Sequence, residues 1–175
     1  MTDAPRSGNR LTRILDAITR FVGRAVAWLI VPMVASLVYE VIARYVFDAP
    51  TLWAYDMTYM LYGTFFMLGS AWTLQRGGHI RTDTFYAEWS PRRRALVDAT
   101  CYVLFFLPAM VVFLDLGAEY FWKSFQQNER IVTSPWLPIV WPFKFVMPLT
   151  AALLIVQGLS ELIKSVQVIV RRSPA

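Results

Sequence analysis

The chain has 175 residues, of which 57% are hydrophobic and 17% charged, with a formal net charge of +5. So much apolar and so little charged sequence excludes an ordinary soluble domain of this length. The basic residues flank apolar runs and do not gather into one patch, so the positive charge gives no reason to expect a nucleic-acid partner.

Residues 1–9 are polar and read as a disordered tail. From residue 10 the pattern turns helical. Leu11, Ile14, Leu15, Ile18, Phe21 and Val22 fall on one face, and Arg10, Arg13, Arg20 and Arg24 on another. A basic amphipathic helix of this kind lies in the headgroup layer, with its arginines on membrane lipids of negative charge. The simpler alternative is a cytoplasmic extension of the first span. Four charge-free runs follow, at residues 25–39, 57–75, 99–114 and 145–160. With their flanks, each reaches the roughly 20 residues that a helix needs to cross about 30 Å of hydrocarbon. The spans are placed at about 25–47, 54–74, 94–121 and 142–163, within one membrane domain at 10–166, followed by a cytoplasmic tail at 167–175. A cleaved leader is a competing reading of the first run, which contains Ala35 and Ser36. Arg24 lies well inside the chain, however, Pro32 interrupts the run, and apolar character continues to Phe47, as in an anchor.

The connections carry their own signals. The turn DAPTLW follows the first span, and the second span ends in Gln75-Arg76-Gly77-Gly78. Phe85, Tyr86 and Trp89 suggest a surface turn or short helix, and Ser90-Pro91 reads as a helix start. The third span is long enough to tilt, and Pro108 is placed to kink it. Ser134-Pro135 gives a second helix-start signal, predicting a short interfacial helix before the fourth span. Trp53, Tyr55, Trp122, Trp136 and Trp141 fall near one membrane surface and Trp28, Trp72, Tyr86 and Trp89 near the other, as interfacial anchors.

Orientation follows from the basic residues of the short loops. Arg6, Arg10, Arg13, Arg20 and Arg24, then Arg76, Arg81, Arg92, Arg93 and Arg94, then Lys164, Arg171 and Arg172 share one side. Only Arg44, Lys123, Arg130 and Lys144 lie on the other. This bias places both termini in the cytoplasm of a multi-pass protein. The expected fold class is an all-α integral membrane protein with four transmembrane helices and an N-terminal amphipathic interfacial helix.

Few residues suggest chemistry. His79 is the single histidine and Cys101 the single cysteine, so intrachain bis-histidine haem ligation, a disulfide and a Cys/His zinc cluster are excluded. Cys101 is expected as a small buried core residue. No GxxxxGK[ST] run is present. No catalytic, cofactor-binding or metal site is assigned, and the chain does not read as an enzyme. The informative residues are charges near the apolar spans. Glu40 and Arg44 lie four apart on one helix face and can pair. Asp56 opens the second span, Asp115 and Glu119 share a face of the third, and Lys123 and Lys144 lie near the outer ends of the third and fourth. Glu40, Arg44, Asp56, Asp115, Glu119 and Lys144 are read either as structural ion pairing or as a subunit interface. The self-satisfying Glu40–Arg44 pair favours the structural role. Gly63, Gly69, Ser70 and Ala71 are expected to allow close helix packing on the second span.

The stretches VYEVIARYVFDAPTLWAYD, GSAWTLQRGGHIRTDTFY and PRRRALVD, in this order among four spans, resemble the small membrane subunit of tripartite ATP-independent periplasmic (TRAP) transporters. The second stretch carries a loop motif of Gly77, Gly78, His79, Arg81 and Asp83. The resemblance covers about residues 10–165. It implies a bacterial inner-membrane protein that needs no cofactor. Its partners would be a large many-span TRAP membrane subunit, which carries an organic acid with sodium, and a periplasmic substrate-binding protein. The small subunit would pack against the large one and steady it. The alternatives from other classes are a small proton-coupled exporter, acting as a dimer through Glu40, and a membrane anchor without a transport role. Reporter fusions near residues 8, 85 and 172 should read cytoplasmic, and fusions near 50 and 128 external; an external signal at 85 would reject this topology.

Overall fold

The computed structural model describes residues 10–77 and 89–170. Six α-helices run in chain order: α1 (Arg10–Ala27), α2 (Ile30–Val46), α3 (Ala54–Gln75), α4 (Pro91–Cys101), α5 (Leu107–Gln126) and α6 (Trp141–Val170). A π-helical segment, Tyr102–Phe106, joins α4 to α5. Among the described residues no strand forms. Arg130 and Ile139 make an isolated antiparallel bridge.

By length and apolarity, three stretches among the described residues qualify to cross a membrane: Arg10–Val46, Pro91–Gln126 and Trp141–Val170. The chain is thus an all-helical, multi-pass membrane protein. The 22-residue α3 does not reach the same apolarity. Its hydroxyls turn back on its own backbone instead: Thr58 donates to the Ala54 carbonyl at 2.7 Å, and Thr64 to that of Met60 at 2.7 Å.

The central helix is α6. It packs against α1, α3, α4 and α5, while α2 packs on α3. Half of the most apolar part of α6 is buried, whereas Pro91–Gln126 buries only Ala95, Tyr102, Gly117 and Ser124. Val26, Leu68, Ala71, Val146 and Leu153 form the core where α1, α3 and α6 meet.

Helix boundaries follow local chemistry. The first helical stretch breaks at Trp28 and Leu29, beyond the Arg24–Ala25 junction suggested by hydropathy. Pro32 has no N–H to offer the Trp28 carbonyl, which accepts from Val31 at 3.1 Å instead. At Ser90 the extended backbone (φ −62, ψ 148) lets its hydroxyl accept from the Arg93 N–H at 3.4 Å, with Pro91 at the first helical position. Near Pro108 the helix takes a π turn, in which the Leu107 N–H reaches back to Tyr102. Past α2 and α5, Asp48 (φ 50) and Asn128 (φ 47) adopt the left-handed conformation that ends a helix, and Gly77 (φ 66) does so after α3.

Three expectations need correction. Residues 127–140 do not hold a short helix. Pro135 and Pro138 lack the N–H groups a helix needs, and the segment folds as a strap: Val140 donates to Glu129 (3.0 Å) and Ile131 to Pro138 (3.1 Å). Cys101 is exposed, as are Thr100 before it and Val103 to Phe105 beyond it. The close packing expected at Gly69 is absent, since a Cβ there would meet nothing within 4 Å. Of the other expected positions, Gly63 does pack closely, against Phe143, and Ala71 is buried in the core, while further tight approaches occur at Gly23 against Trp72 and Gly158 against Phe106. The surface turn at 85–89 lies outside the described residues except for Trp89, which is exposed.

A Cβ at Gly158 would sit 2.4 Å from the Phe106 ring. Gly158→Ala should cost about 1–3 kcal/mol of stability, and Phe106→Leu in the same chain should restore part of it. Gly69→Ala should stay within about 0.5 kcal/mol. Thermal unfolding in detergent checks both; equal losses would refute the packing difference.

Candidate functional site

Charged residues gather at the two ends of the bundle. At the end formed by residues 47–53 and 127–140, Glu40 on α2 is occupied on both carboxylate oxygens. Arg44 donates to one through Nε at 2.9 Å, and the Thr51 backbone N–H to the other at 2.9 Å, with the Thr51 hydroxyl on the same oxygen. Glu40 therefore holds the turn after α2 against its own helix. Asp56, in the first turn of α3, accepts from the Ser134 hydroxyl and ties the strap to α3. Lys144 is buried in the first turns of α6. Its ammonium lies 2.5 Å from Glu129 and 3.7 Å from the Tyr120 ring centre, linking α6 to the strap and to α5. In the strap, this ammonium holds the Glu129 carboxyl below the usual range.

Glu119 and Lys123 pair at 2.5 Å along the exposed face of α5. Asp115, one turn earlier, is exposed and has no hydrogen-bond or ion-pair partner among the described residues. The charges singled out by sequence thus divide into separate contacts and do not form one network. Of the loop motif, Gly77 ends α3 and donates to Leu74 at 3.0 Å; Gly78, His79, Arg81 and Asp83 lie outside the described residues.

The opposite end holds a polar cluster absent from the sequence reading. Asp16 on α1 accepts from Ser160 (2.7 Å), Gln157 (3.1 Å) and Lys164 (2.8 Å), all on α6. Lys164 also pairs with Glu161 at 2.8 Å, and Gln157 donates to Glu161 at 3.1 Å. From the end of α3, Gln75 donates to the backbone carbonyl of Asp16 at 2.8 Å. Gln157 and Ser160 are fully buried. The cluster joins three helices, and Lys164 occupies the space between its two acids. Among the described residues no group of three or more His, Cys, Asp or Glu side chains is placed to hold a metal ion.

The helical order, the turn held by Glu40 and the glycine that ends α3 sit within a family match. A profile described as Tripartite ATP-independent periplasmic transporters, DctQ component, covers residues 33–168. The chain belongs to this family. DctQ proteins are transporter components and do not form an enzyme family, and the family's description places them in a three-part system. Comparison with curated proteins gives no match. Most acids among the described residues of this DctQ chain are engaged by cations, hydroxyls or backbone N–H groups, an arrangement that fixes helices and loops.

Removing one member of a buried charge cluster costs about 3–5 kcal/mol, because it strands the others. Asp16→Ala should therefore loosen α1 and raise trypsin cleavage at Arg13 and Arg20 at least about tenfold, with cleavage at the buried Lys144 unchanged. Cleavage at the wild-type rate would show that this cluster does not hold α1.

Proposed function

We propose that this DctQ chain is the accessory small permease subunit of a binding-protein-dependent, ion-gradient-driven transporter for organic acids. In this reading it packs against the large transport subunit and steadies it. It lies in the bacterial inner membrane with both termini in the cytoplasm. Helices α2, α3, α4–α5 and α6 make four crossings, and α1 lies in the headgroup layer. The exposure of Leu11, Ile14, Ile18 and Phe21 together with the α1 arginines supports this placement.

One observation carries the role. Much of the apolar surface of Pro91–Gln126 is exposed, including Val103, Leu104, Phe105, Val111, Val112 and Leu116, and Asp115 lies on this exposed side without a partner among the described residues. Asp115 precedes Trp122 by seven residues, about 10 Å of helix. An aspartate is too short to reach water from such a depth, and a lone carboxylate in lipid is costly. A second protein offering a cation or hydroxyl donors at that level removes the cost. A self-sufficient exporter needs the reverse arrangement, with its free carboxylate facing an internal path. Glu40, its natural candidate, is filled on both oxygens, and family membership gives that alternative no support. Glu40, Arg44, Asp56 and Lys144 then serve the chain's own structure, while Asp115, with Glu119 beside it, belongs to the subunit interface.

In liposomes under a sodium gradient, uptake should require this chain, the large subunit and the binding protein together. Asp115→Arg should lower recovery of the large subunit with the tagged chain at least about tenfold, while the yield of the chain alone is unchanged. Saturable uptake by this chain alone would overturn the proposal.

A further inference from the structure

Beneath the strap lies a cavity of about 540 Å³. Its walls are Met57, Met60 and Leu61 of α3 and Phe143 and Val146 of α6, and Arg130 stands at its rim. The one wall hydroxyl, Thr64, is spent on the Met60 carbonyl. The α3 and α6 walls therefore offer hydrocarbon contacts, and the polar side chains of the lining, Arg130 and Trp136, come from the strap. A largely apolar cavity of this size, open on one side, suits a small ligand or a chain of methylenes.

The roof is built to stay in place. Asp56 holds Ser134, Lys144 holds Glu129, and the bridge between Arg130 and Ile139 closes the base of the strap. At its tip Leu137 takes a left-handed conformation (φ 51), which a branched side chain adopts only under constraint. Arg130 supplies part of that constraint by donating from Nη1 to the Leu137 carbonyl at 3.0 Å. Its Nε and second amino group have no partner among the described residues, and the side chain is exposed. A guanidinium with spare donors at the mouth of an apolar cavity is a complement for a phosphate attached to hydrocarbon.

Depth agrees with this chemistry. From Trp53 to Thr64, α3 descends about 16 Å. The cavity thus runs from the level of the interfacial residues Trp53, Trp136 and Arg130 into the acyl layer. We propose that it is a site for one phospholipid of the adjoining leaflet, with an acyl chain between α3 and α6 and the phosphate on Arg130. The inference requires that these helices cross a bilayer. It does not require either the orientation or the subunit role proposed above.

The test uses the full chain, purified alone in mild detergent and examined by native mass spectrometry after exposure to phosphatidylethanolamine and phosphatidylglycerol. About one phospholipid per chain should survive delipidating washes. Met60→Trp, which fills the cavity, should lower retention at least tenfold without loss of helicity or thermal stability. Arg130→Gln should lower it comparably, and Arg130→Lys should retain most of it. Retention unchanged by Met60→Trp would overturn the proposal. So would displacement of the lipid by millimolar inorganic phosphate, since that describes an anion site without an acyl chain. In the complex with the large subunit, loss of the retained lipid together with a crosslink from Met60→Cys to that subunit would also overturn it, by showing a partner side chain in the cavity.

Discussion

Two buried or nearly buried lysines on one helix set the frame of this protein. Lys144 and Lys164 stand 20 residues apart on α6, about 30 Å along the axis, which is the thickness of a bilayer's hydrocarbon core. Each meets an acid from another part of the chain: Glu129 in the strap and Asp16 on α1. A lysine at this depth without a counter-ion would be costly, so the position of each partner is strongly specified. The strap is thereby drawn onto one end of α6, and the amphipathic helix onto the other. Gln75 then extends the second contact to α3. The rest of the bundle fills the slab between these two fixed ends.

This arrangement also explains the limit of the sequence reading. Hydropathy marks where apolar helices are, and it located the helical runs and the Glu40–Arg44 spacing. It does not mark which side of a helix touches protein, because in a membrane lipid accepts apolar residues as readily as a core does. The contact stripe of α1 is Thr12, Asp16, Thr19, Gly23 and Val26, spaced 4-3-4-3 along the chain. That period was legible, but it is carried by small and polar residues, the reverse of the soluble pattern. The apolar residues of α1 that periodicity picked out, such as Phe21 and Ile14, are exposed. The partners of charges were less legible still. Glu129 and Ser134 lie 15 and 78 positions from the residues they bind. Only the folded strap brings them together, and the Ser-Pro signal within it pointed to a helix.

The charges differ in what they leave available. Glu40, Asp56, Glu129 and Asp16 hold a turn, a strap or a helix, and each has donors on it. A carboxylate that moves protons has to change its partners during a cycle, whereas these partners are part of the fold. The chain's own interior is thus committed to rigidity. Among the described residues, what it presents outward includes the face of α5 with Asp115 and the cavity under the strap.

Rigidity between the two lysines comes from a different device, placed where the backbone is weakest. Pro108 and Pro148 each remove a helical N–H. Near the first, the chain absorbs the defect in the π turn, and Phe106 comes to lie on Gly158 of α6. At the second, Gly117 of α5 approaches so closely that a Cβ there would sit 3.3 Å from the Pro148 nitrogen. The intervals match: Phe106 to Gly117 spans about 16 Å along one helix, and Pro148 to Gly158 about 15 Å along the other. An antiparallel pair therefore brings both contacts into register at once. Each irregular stretch meets a glycine on the neighbouring helix, so backbones with fewer internal hydrogen bonds are braced by direct packing. In lipid, where no hydrophobic force drives helices together, such close approach is the main source of association. It accounts for a glycine at each of these two crossings and for the absence of any such need at Gly69.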